Sequence, residues 1–334
     1  MELAEAGKIP AGQEAPVPED TGDSTAAVYQ SLRPLLFSIA YRMLGSVAEA
    51  EDVVQESFLR YHRVVASQGE PEPPKAYLSA VVTRLSIDQL RSARARRESY
   101  VGDWLPEPVL TGTLPFSEPA ADPQEHAEQA DSLSMAFLLL LERLTPLERA
   151  VFLLHDVFSY GYDETAGIVG RSASTCRQLA HRARQHIDAE RPRFDVAASE
   201  RQELAARFFA AVGSGDMAGL LGLLAADVEV RGDSGGVPPS WRKPIVGRDH
   251  VGRLMAALGN QLRLVHGSIR LTEVNGQPGA LALGPDGALI SVLSIDIADG
   301  QVQTVRSVIS RAKLQHLGPL ADLTSLLDER RSAR

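Results

Sequence analysis

The chain has 334 residues, of which 44% are hydrophobic and 23% charged, the balance of a globular protein with about two domains of ~150 residues each. Its longest purely apolar run, Met135–Leu141, is far shorter than the ~18 residues that cross a bilayer, which excludes an integral membrane protein. A single cysteine, Cys176, excludes an intrachain disulfide framework and a cysteine-ligated zinc site, and we expect no metal or cofactor. The acidic N-terminus lacks the pattern of a signal peptide, so we expect a cytoplasmic protein.

The net charge of −9 is distributed unevenly along the chain. Residues 75–97 carry six Lys or Arg against one Asp, and residues 171–193 carry six Arg against two acidic residues. Between them, residues 98–131 carry eight acidic residues and no basic one. Each segment alone is compatible with a solvated helix face. The alternation, and the preference for Arg, which makes bidentate contacts with phosphate and guanine, favour a nucleic-acid partner.

The predicted elements begin after an acidic tail, residues 1–27, that we expect to be disordered. From residue 31 to 65 the apolar residues recur at helical spacing, and Ser46 with Glu49 predicts a capping box for the second helix. A proline-rich break precedes a third helix over about 75–97. The following stretch to residue 123 contains five prolines and no helical period, which predicts an extended linker.

Helices resume near Pro123, and the first of them is predicted to end at Arg143. Thr145 as N-cap, Pro146 at the first helical position and Glu148 three residues after the cap predict the next helix. After about residue 196 the pattern changes. Two helices (200–212 and 217–225) and a third (248–258) precede strands separated by Asn-Gly and Asp-Gly turns at 275–276, 286–287 and 299–300. An all-α front part therefore joins an α+β back part.

Residues 160–187 have the spacings of a helix-turn-helix. Ala166 supplies the small residue where the helices cross, Gly170 the positive φ of the turn, and Ser172 the cap of the second helix. Cys176 and Leu179 then fall on its buried side, so Cys176 is predicted to be a core residue. The outward residues, able to meet phosphates or base edges, are Ser174, Thr175, Arg177, Gln178, His181 and Arg182. The alternative is an ordinary helical hairpin with a basic face.

Residues 50–63, AEDVVQESFLRYHR, followed by KAYLSAVVTRLSIDQLRSARARR, resemble region 2 of sigma factors of the extracytoplasmic-function (ECF) type, and residues 136–190 resemble region 4. The resemblance covers about residues 28–190. It implies a protein that binds RNA polymerase core, at the clamp of the β′ subunit and the flap of the β subunit, and reads the −35 and −10 elements of promoter DNA. The acidic linker would thread the channel for template and RNA.

The resemblance also implies roles for individual side chains. The residues expected to bind core polymerase are Asp52, Gln55, Glu56, Leu59 and Arg60. The residues expected at the −10 element are Lys75, Tyr77, Arg84, Asp88 and Arg91. Tyr77 stands where many family members carry Trp; it either catches an unstacked base or is a packed core aromatic. Arg84 stands where many members have Asn, which puts the identity of the −10 bases in doubt.

The back part resembles the extension of a sigma-J-like subgroup that carries a C-terminal SnoaL-like domain, an α+β cone. The linker signature WLPEP of this subgroup is intact, whereas the signatures DGGG and NPDKL are degraded. In the subgroup these segments face the sigma core and tune its activity. The expected interdomain residues are Trp104, Leu105, Pro106, Glu107, Pro108, Asp233, Gly235, Gly236, Lys313 and Leu314. Trp104 is either docked in a groove of a neighbouring domain or a turn residue.

The predicted fold is thus two all-α sigma domains plus an α+β SnoaL-like domain. The predicted boundaries are 28–98 for region 2, 99–130 for the linker, 131–193 for region 4, 199–316 for the SnoaL-like domain and 317–334 for a C-terminal tail. One alternative is a helix-turn-helix regulator whose back half senses an unknown small molecule. Another is an isomerase or cyclase, but no spacing selects among its candidate residues, Asp227, Asp233, Asp249, Asp296, His250 and His266. We expect no catalysis.

Overall fold

The computed structural model describes residues 21–98, 100, 102–111, 131–188, 197–236 and 243–332. Within them lie an all-α front part and a back part of helices around a six-stranded sheet, which confirms the predicted fold class. None of the helices in these ranges has the length and apolar character that a membrane span requires. Residues 1–20 of the predicted tail and 112–130 of the predicted linker lie outside the described residues.

The first three helices are α1 (Thr21–Leu44), α2 (Val47–Gln68) and α3 (Pro74–Glu98). Helix α1 begins seven residues before the predicted boundary at residue 28, so residues 21–27 are not tail. Tyr29 packs edge-on against Phe58 with ring centroids 4.5 Å apart, which fixes the start of α1 on α2.

Four more helices of the front part lie within the described residues. They are α4 (Met135–Leu141), α5 (Pro146–Phe152), which continues as a π-helical turn (Leu153–Val157), α6 (Tyr162–Val169) and α7 (Ala173–Asp188). The predicted capping box of Thr145 and Glu148 is confirmed. The helix predicted from near Pro123 to Arg143 begins outside the described residues, and within them residues 132–134 interrupt it. Ser134 accepts a hydrogen bond from the Phe137 N–H and starts α4, which ends at Leu141, two residues before the predicted end.

One apolar core runs through all seven helices, from Leu36 and Tyr61 to Leu154 and Cys176. Two buried arginines join α1 to the later helices. Arg42 donates to the Ser132 hydroxyl at 3.1 Å, and Arg149 donates to the Met43 carbonyl at 2.6 Å. Burial lowers the pKa of Arg42 to about 10. The helices of the front part therefore pack as one body and do not form two separate domains joined by a linker.

The back part has helices α8 (Ala198–Ser214), α9 (Met217–Leu223), α10 (Arg248–Leu264), α11 (Arg311–Leu314) and α12 (Leu323–Ser332). Its strands are β1 (Leu224–Asp233), β2 (Ile245–Val246), β3 (Ser268–Val274), β4 (Gln277–Leu283), β5 (Leu289–Ala298) and β6 (Gln301–Val308). Their order in the sheet is β2-β1-β6-β5-β4-β3, with β1 and β6 parallel and the other pairs antiparallel.

Two sequence assignments in the back part are corrected. The helix predicted to reach residue 225 ends at Leu223, where strand β1 begins, because the alternating Val228 and Val230 are buried against the sheet helices. The C-terminal tail predicted from residue 317 contains α12, whose Leu323 and Leu326 pack against Ile290.

The two faces of the sheet meet different partners. Leu293, Ile295 and Ile297 of β5 point to the face covered by α8, α9 and α10. The alternate residues point to the opposite face, where Val292 and Val308 pack with Leu105 of the linker and Met135 of α4. The sheet therefore holds the docked linker, residues 102–111, between the two parts of the molecule.

Candidate nucleic-acid interface and linker site

The helix-turn-helix is formed by α6 and α7 with the predicted geometry. Gly170 has φ 67°, the left-handed conformation in which glycine is favoured, and Ala166 is buried at the crossing. Ser172 accepts a hydrogen bond from the Thr175 N–H at 3.2 Å and caps α7. Cys176 is fully buried, and its burial raises the pKa of the thiol, as for a core residue.

The predicted −35 residues lie on the outer face of α7. Ser174, Arg177, Gln178, His181 and Arg182 are exposed, and Thr175 is half-buried. The Arg177 guanidinium lies 5.4 Å from the centre of the Tyr162 ring, and the Arg182 Nε lies 3.6 Å from the Glu148 carboxylate. The result is an open, cationic helix face, the arrangement that enters a DNA groove in helix-turn-helix proteins.

The predicted −10 residues divide into two groups. Arg84 donates through Nε to the Ile168 carbonyl at 2.9 Å and through Nη2 to the Gly167 carbonyl at 3.0 Å. Lys75 Nζ lies 5.5 Å from the centre of the Tyr160 ring. These contacts seat α3 against the helix-turn-helix.

The other −10 residues lie away from that contact. Asp88 and Arg91 form an exposed ion pair at 3.3 Å. Tyr77 is half-buried against the core, with its ring centroid 6.1 Å from that of Tyr61. In this conformation Tyr77 fits the packed-aromatic alternative.

The predicted polymerase-binding residues lie together on the outer face of α2. Asp52, Gln55, Leu59 and Arg60 are exposed and Glu56 is half-buried. A hydrogen bond from Arg60 Nε at 2.7 Å lowers the pKa of the Glu56 carboxyl. Leu59 exposes 47% of its surface, an apolar side chain within a charged face, which suits a protein partner.

The linker reaches α2 through Glu107. Its carboxylate accepts hydrogen bonds from the Val47 N–H at 2.7 Å and the Ser46 hydroxyl at 2.8 Å, at the positive end of the helix. The Glu107 N–H donates to the Gly45 carbonyl at 2.8 Å, and Pro106 and Pro108 are buried on either side. Ser46 caps α2 as predicted, because its hydroxyl accepts from the Glu49 N–H at 3.2 Å. The sequence did not suggest Glu107, which is distant in the chain.

Trp104 lies between the front and back parts. The centre of its ring is 4.4 Å from Lys313 Nζ, a cation–π distance. The edge of the ring also lies against Gly45, where φ is 67° and a Cβ would come within 2.8 Å of the Trp104 ring. The ring therefore sits over the turn between α1 and α2, where only glycine leaves it room.

The Asp233 carboxylate organises the rest of the linker site. It is fully buried, and its Oδ2 accepts from the Leu105 N–H at 2.8 Å and pairs with Lys313 Nζ at 2.6 Å. Its Oδ1 accepts from the Tyr100 hydroxyl at 2.5 Å and the Gly235 N–H at 2.9 Å. Lys313 also donates to the Leu105 carbonyl at 2.5 Å, so both backbone groups of Leu105 are held.

The neighbouring predicted residues complete this contact. Gly235 and Gly236 form a turn with φ of 69° and 79°, as expected for the residues after Asp233. Leu314 is buried beside Leu105 in one apolar cluster. Burial raises the pKa of the Tyr100 hydroxyl, and the adjacent Asp233 carboxylate adds to the effect.

Sequence reasoning missed the contact made by Asn275. Its side-chain amide donates to the Tyr41 hydroxyl at 2.8 Å and the Leu133 carbonyl at 3.1 Å, and its Oδ1 accepts from the Val109 N–H at 3.1 Å. One fully buried side chain thus joins α1, the linker and the segment before α4. The Asn-Gly pair predicted the turn but carried no signal for these partners.

The six candidates for catalysis in the back part are not brought together. Asp227, Asp249, His250 and His266 are exposed, Asp296 pairs with Arg306 at 2.6 Å, and Asp233 belongs to the linker site. Among the residues that the structure describes, no group of three His, Cys, Asp or Glu side chains could hold a metal ion.

The comparisons agree with this geometry. The family model for Sigma-70 region 2 matches residues 28–96, and that for Sigma-70, region 4 matches residues 134–187. The ECF RNA polymerase sigma factor SigJ of Mycobacterium tuberculosis is 37% identical over 285 residues, which cover 82% of this chain and 88% of SigJ. A probable ECF RNA polymerase sigma factor of that species, SigI, is 32% identical over 297 residues, 88% of this chain and 96% of SigI.

The fold agrees as well. The crystal structure of M. tuberculosis SigJ has a TM-score of 0.67 at 34% sequence identity, covering 89% of this chain and 100% of that chain. A match of that extent includes both the helical front part and the α+β back part. The chain belongs to the ECF RNA polymerase sigma factors, with region 2 in α1–α3 and region 4 in α4–α7.

Proposed function

We propose that this sigma factor is held here in a closed state, in which regions 2 and 4 pack together, and that it opens when it takes RNA polymerase core to a promoter. The observation that carries the proposal is the contact of Arg84 in α3 with the carbonyls of Ile168 and Gly167 in α6. The helix expected to read the −10 element is thereby seated on the helix-turn-helix expected to read the −35 element.

The spacing of the promoter elements requires the two regions to separate. Some 25 base pairs lie between the positions −35 and −10, roughly 85 Å of DNA at 3.4 Å per base pair. In the closed state Arg84 Nε is only 2.9 Å from the Ile168 carbonyl. Regions 2 and 4 therefore contact both elements only after α3 leaves α6.

The surfaces for the polymerase are proposed from exposure and chemistry. The outer face of α2, with Leu59 among charged side chains, suits the β′ clamp, and region 4 is assigned to the β flap. Because Glu107 caps α2 and Leu105 is bound to Asp233 and Lys313, the back domain is connected to region 2 through the docked linker. We propose that the back domain modulates activity through this connection and performs no chemistry of its own.

A reconstitution tests the function. The full chain should retain purified RNA polymerase core from a GC-rich bacterium and support run-off transcription from specific promoters. A chain that ignores core but binds duplex DNA tightly as a symmetric dimer would instead be a conventional helix-turn-helix regulator.

The −35 assignment predicts a large loss on changing α7. The triple variant Arg177→Ala, Gln178→Ala and Arg182→Ala should lower transcription from the native −35 element by more than 100-fold, at about 1–3 kcal/mol per lost base contact. Run-off assays on templates with altered −35 sequences measure it. The double variant Arg207→Ala and Arg253→Ala, at exposed positions of the back domain, is the control. Unchanged promoter choice in the triple variant contradicts the assignment.

The closed state predicts the opposite effect for Arg84. Arg84→Ala removes two hydrogen bonds between α3 and α6, so the affinity for polymerase core should rise, up to about thirtyfold at about 1 kcal/mol net per bond. Titration with core polymerase measures the affinity. Arg91→Ala, which loses only the exposed ion pair with Asp88, should leave it unchanged. Equal affinities for the two variants would show that Arg84 does not hold the closed state.

A further inference from the structure

The back domain encloses a cavity of about 370 Å³ between the sheet, α10 and α12. Its walls are mainly apolar and include Val212, Met255, Leu262, Ile290, Leu293 and Leu327. The volume is within the roughly 300–1,000 Å³ of small-molecule sites and far above the ~30 Å³ of one water molecule. The cavity lies on the sheet face opposite the docked linker.

Two serine hydroxyls are placed on the floor of this cavity. Ser291 of β5 and Ser307 of β6 are 7% and 5% exposed, and both line it. They lie on one face, since Ser307 is paired with Leu293, two residues after Ser291. A hydroxyl can donate one hydrogen bond and accept others, so both serines are suited to bind a polar group inside the cavity that they line.

The lining carries few charges. Its ionisable side chains within the described ranges are Arg311 and Asp322, and both are exposed at the rim. Asp322 accepts a hydrogen bond from the Thr324 N–H at 2.8 Å and so is engaged at the start of α12. An uncharged interior disfavours ions, because nothing offsets the cost of removing them from water.

Helix α12 covers the cavity without being deeply packed. Leu323 and Leu327 line the cavity, yet α12 has no buried residue. The segment before it is anchored to the sheet, because the Leu289 N–H donates to the Pro319 carbonyl at 2.8 Å and the Ala321 N–H to the Leu289 carbonyl at 2.9 Å. A helix with so little burial opens at low cost while its anchor stays in place, which provides an entrance.

We propose that this cavity binds a neutral, largely apolar small molecule with a hydroxyl or carbonyl oxygen, its body beneath α12 and its oxygen at Ser291 and Ser307. One wall consists of Gly235 and Ser310, next to the Asp233–Lys313 pair. The Asp233 carbonyl accepts from the Ser310 N–H at 3.1 Å, so a ligand that displaces this wall acts on the linker site. That regulatory consequence rests on the proposed function, whereas the binding does not.

Calorimetric titration of the full chain with 2-naphthol and with naphthalene tests the site. Both probes fit an apolar cavity, and only the first carries a hydroxyl. We expect one site per chain and about tenfold tighter binding of 2-naphthol. The double variant Ser291→Ala and Ser307→Ala should bind both probes with the affinity of naphthalene, which also shows that it is folded. The control, Ser214→Ala and Ser325→Ala, changes exposed serines only.

Two results overturn the site: no saturable binding of either probe, or an unchanged preference for 2-naphthol in the Ser291 and Ser307 variant. Run-off transcription at saturating 2-naphthol then tests the link to the linker site. A change in transcript yield that requires Ser291 and Ser307 supports the link between the cavity and the linker site. An unchanged transcript yield with the probe bound overturns that link. A chain inactive with and without probe refutes the sigma function instead, while the titration still decides the site.

Discussion

The Asp233→Ala variant is expected to release the docked linker from the back domain. The substitution leaves Lys313 buried without its carboxylate and removes the acceptor of the Tyr100, Leu105 and Gly235 donors. Breaking a buried ion pair from one side costs about 3–5 kcal/mol. Urea unfolding should show this loss, and amide hydrogen exchange at Leu105 should accelerate toward that of an exposed amide.

Two further variants make this result specific. Lys313→Met keeps the apolar stem, and Asp233 retains its three other donors, so a smaller loss is expected. Asp296→Ala breaks the ion pair with Arg306 in the same sheet, away from Leu105, and should leave exchange at Leu105 unchanged. If Asp233→Ala also left it unchanged, Asp233 would not hold the linker.

The Asn275→Gly variant is expected to loosen the back domain from the helical regions. Glycine suits the φ of 53° at this position, so the change isolates the lost side-chain hydrogen bonds. The Val109 N–H and the Leu133 carbonyl lose this side-chain partner, at about 1–3 kcal/mol each. We expect a destabilisation of several kcal/mol in urea unfolding, with faster exchange in the linker.

The turn between β5 and β6 offers a matched control. Asp299 has a φ of 51° and is exposed, so Asp299→Gly changes an equivalent turn without interdomain contacts. It should alter the free energy of unfolding by no more than about 0.5 kcal/mol. Asn275→Asp keeps the Oδ1 acceptor but loses the two donated hydrogen bonds and buries a carboxylate against the Leu133 carbonyl, so it should destabilise at least as much as Asn275→Gly. Equal stabilities of Asn275→Gly and Asp299→Gly would contradict the role given to Asn275.

Sequence reasoning predicted the structural features that depend on residues close together in the chain. The positive φ of Gly170, the burial of Cys176 and the capping box of Thr145 each follow from residues within a few positions of one another. Strand β1 was missed because Leu220 and Leu223 continue with apolar residues into the strand, so helix and strand have the same composition there.

The long-range contacts were beyond the sequence. Nothing near Glu107 indicates that its carboxylate caps α2, and Asn275 is indistinguishable in pattern from any hairpin asparagine. The family signature did indicate that Asp233 and Lys313 face the sigma core. It did not indicate that Asp233 accepts from the Leu105 N–H and that Lys313 donates to the Leu105 carbonyl. Arg84 is similar: a basic residue on the −10 helix suggested DNA, and its partners in the closed state are carbonyl oxygens of α6.

Under the proposed closed state, the single apolar core shared by regions 2 and 4 influences how much RNA polymerase is needed to recruit this protein. If polymerase core binds only the opened molecule, the apparent dissociation constant for polymerase core is the intrinsic one divided by the open fraction. Each 1.4 kcal/mol in favour of the closed packing lowers that fraction about tenfold. Substitutions in the shared apolar core would therefore change how well this protein competes with other sigma factors for a limited pool of RNA polymerase core. They would do so without altering any residue that touches DNA or polymerase.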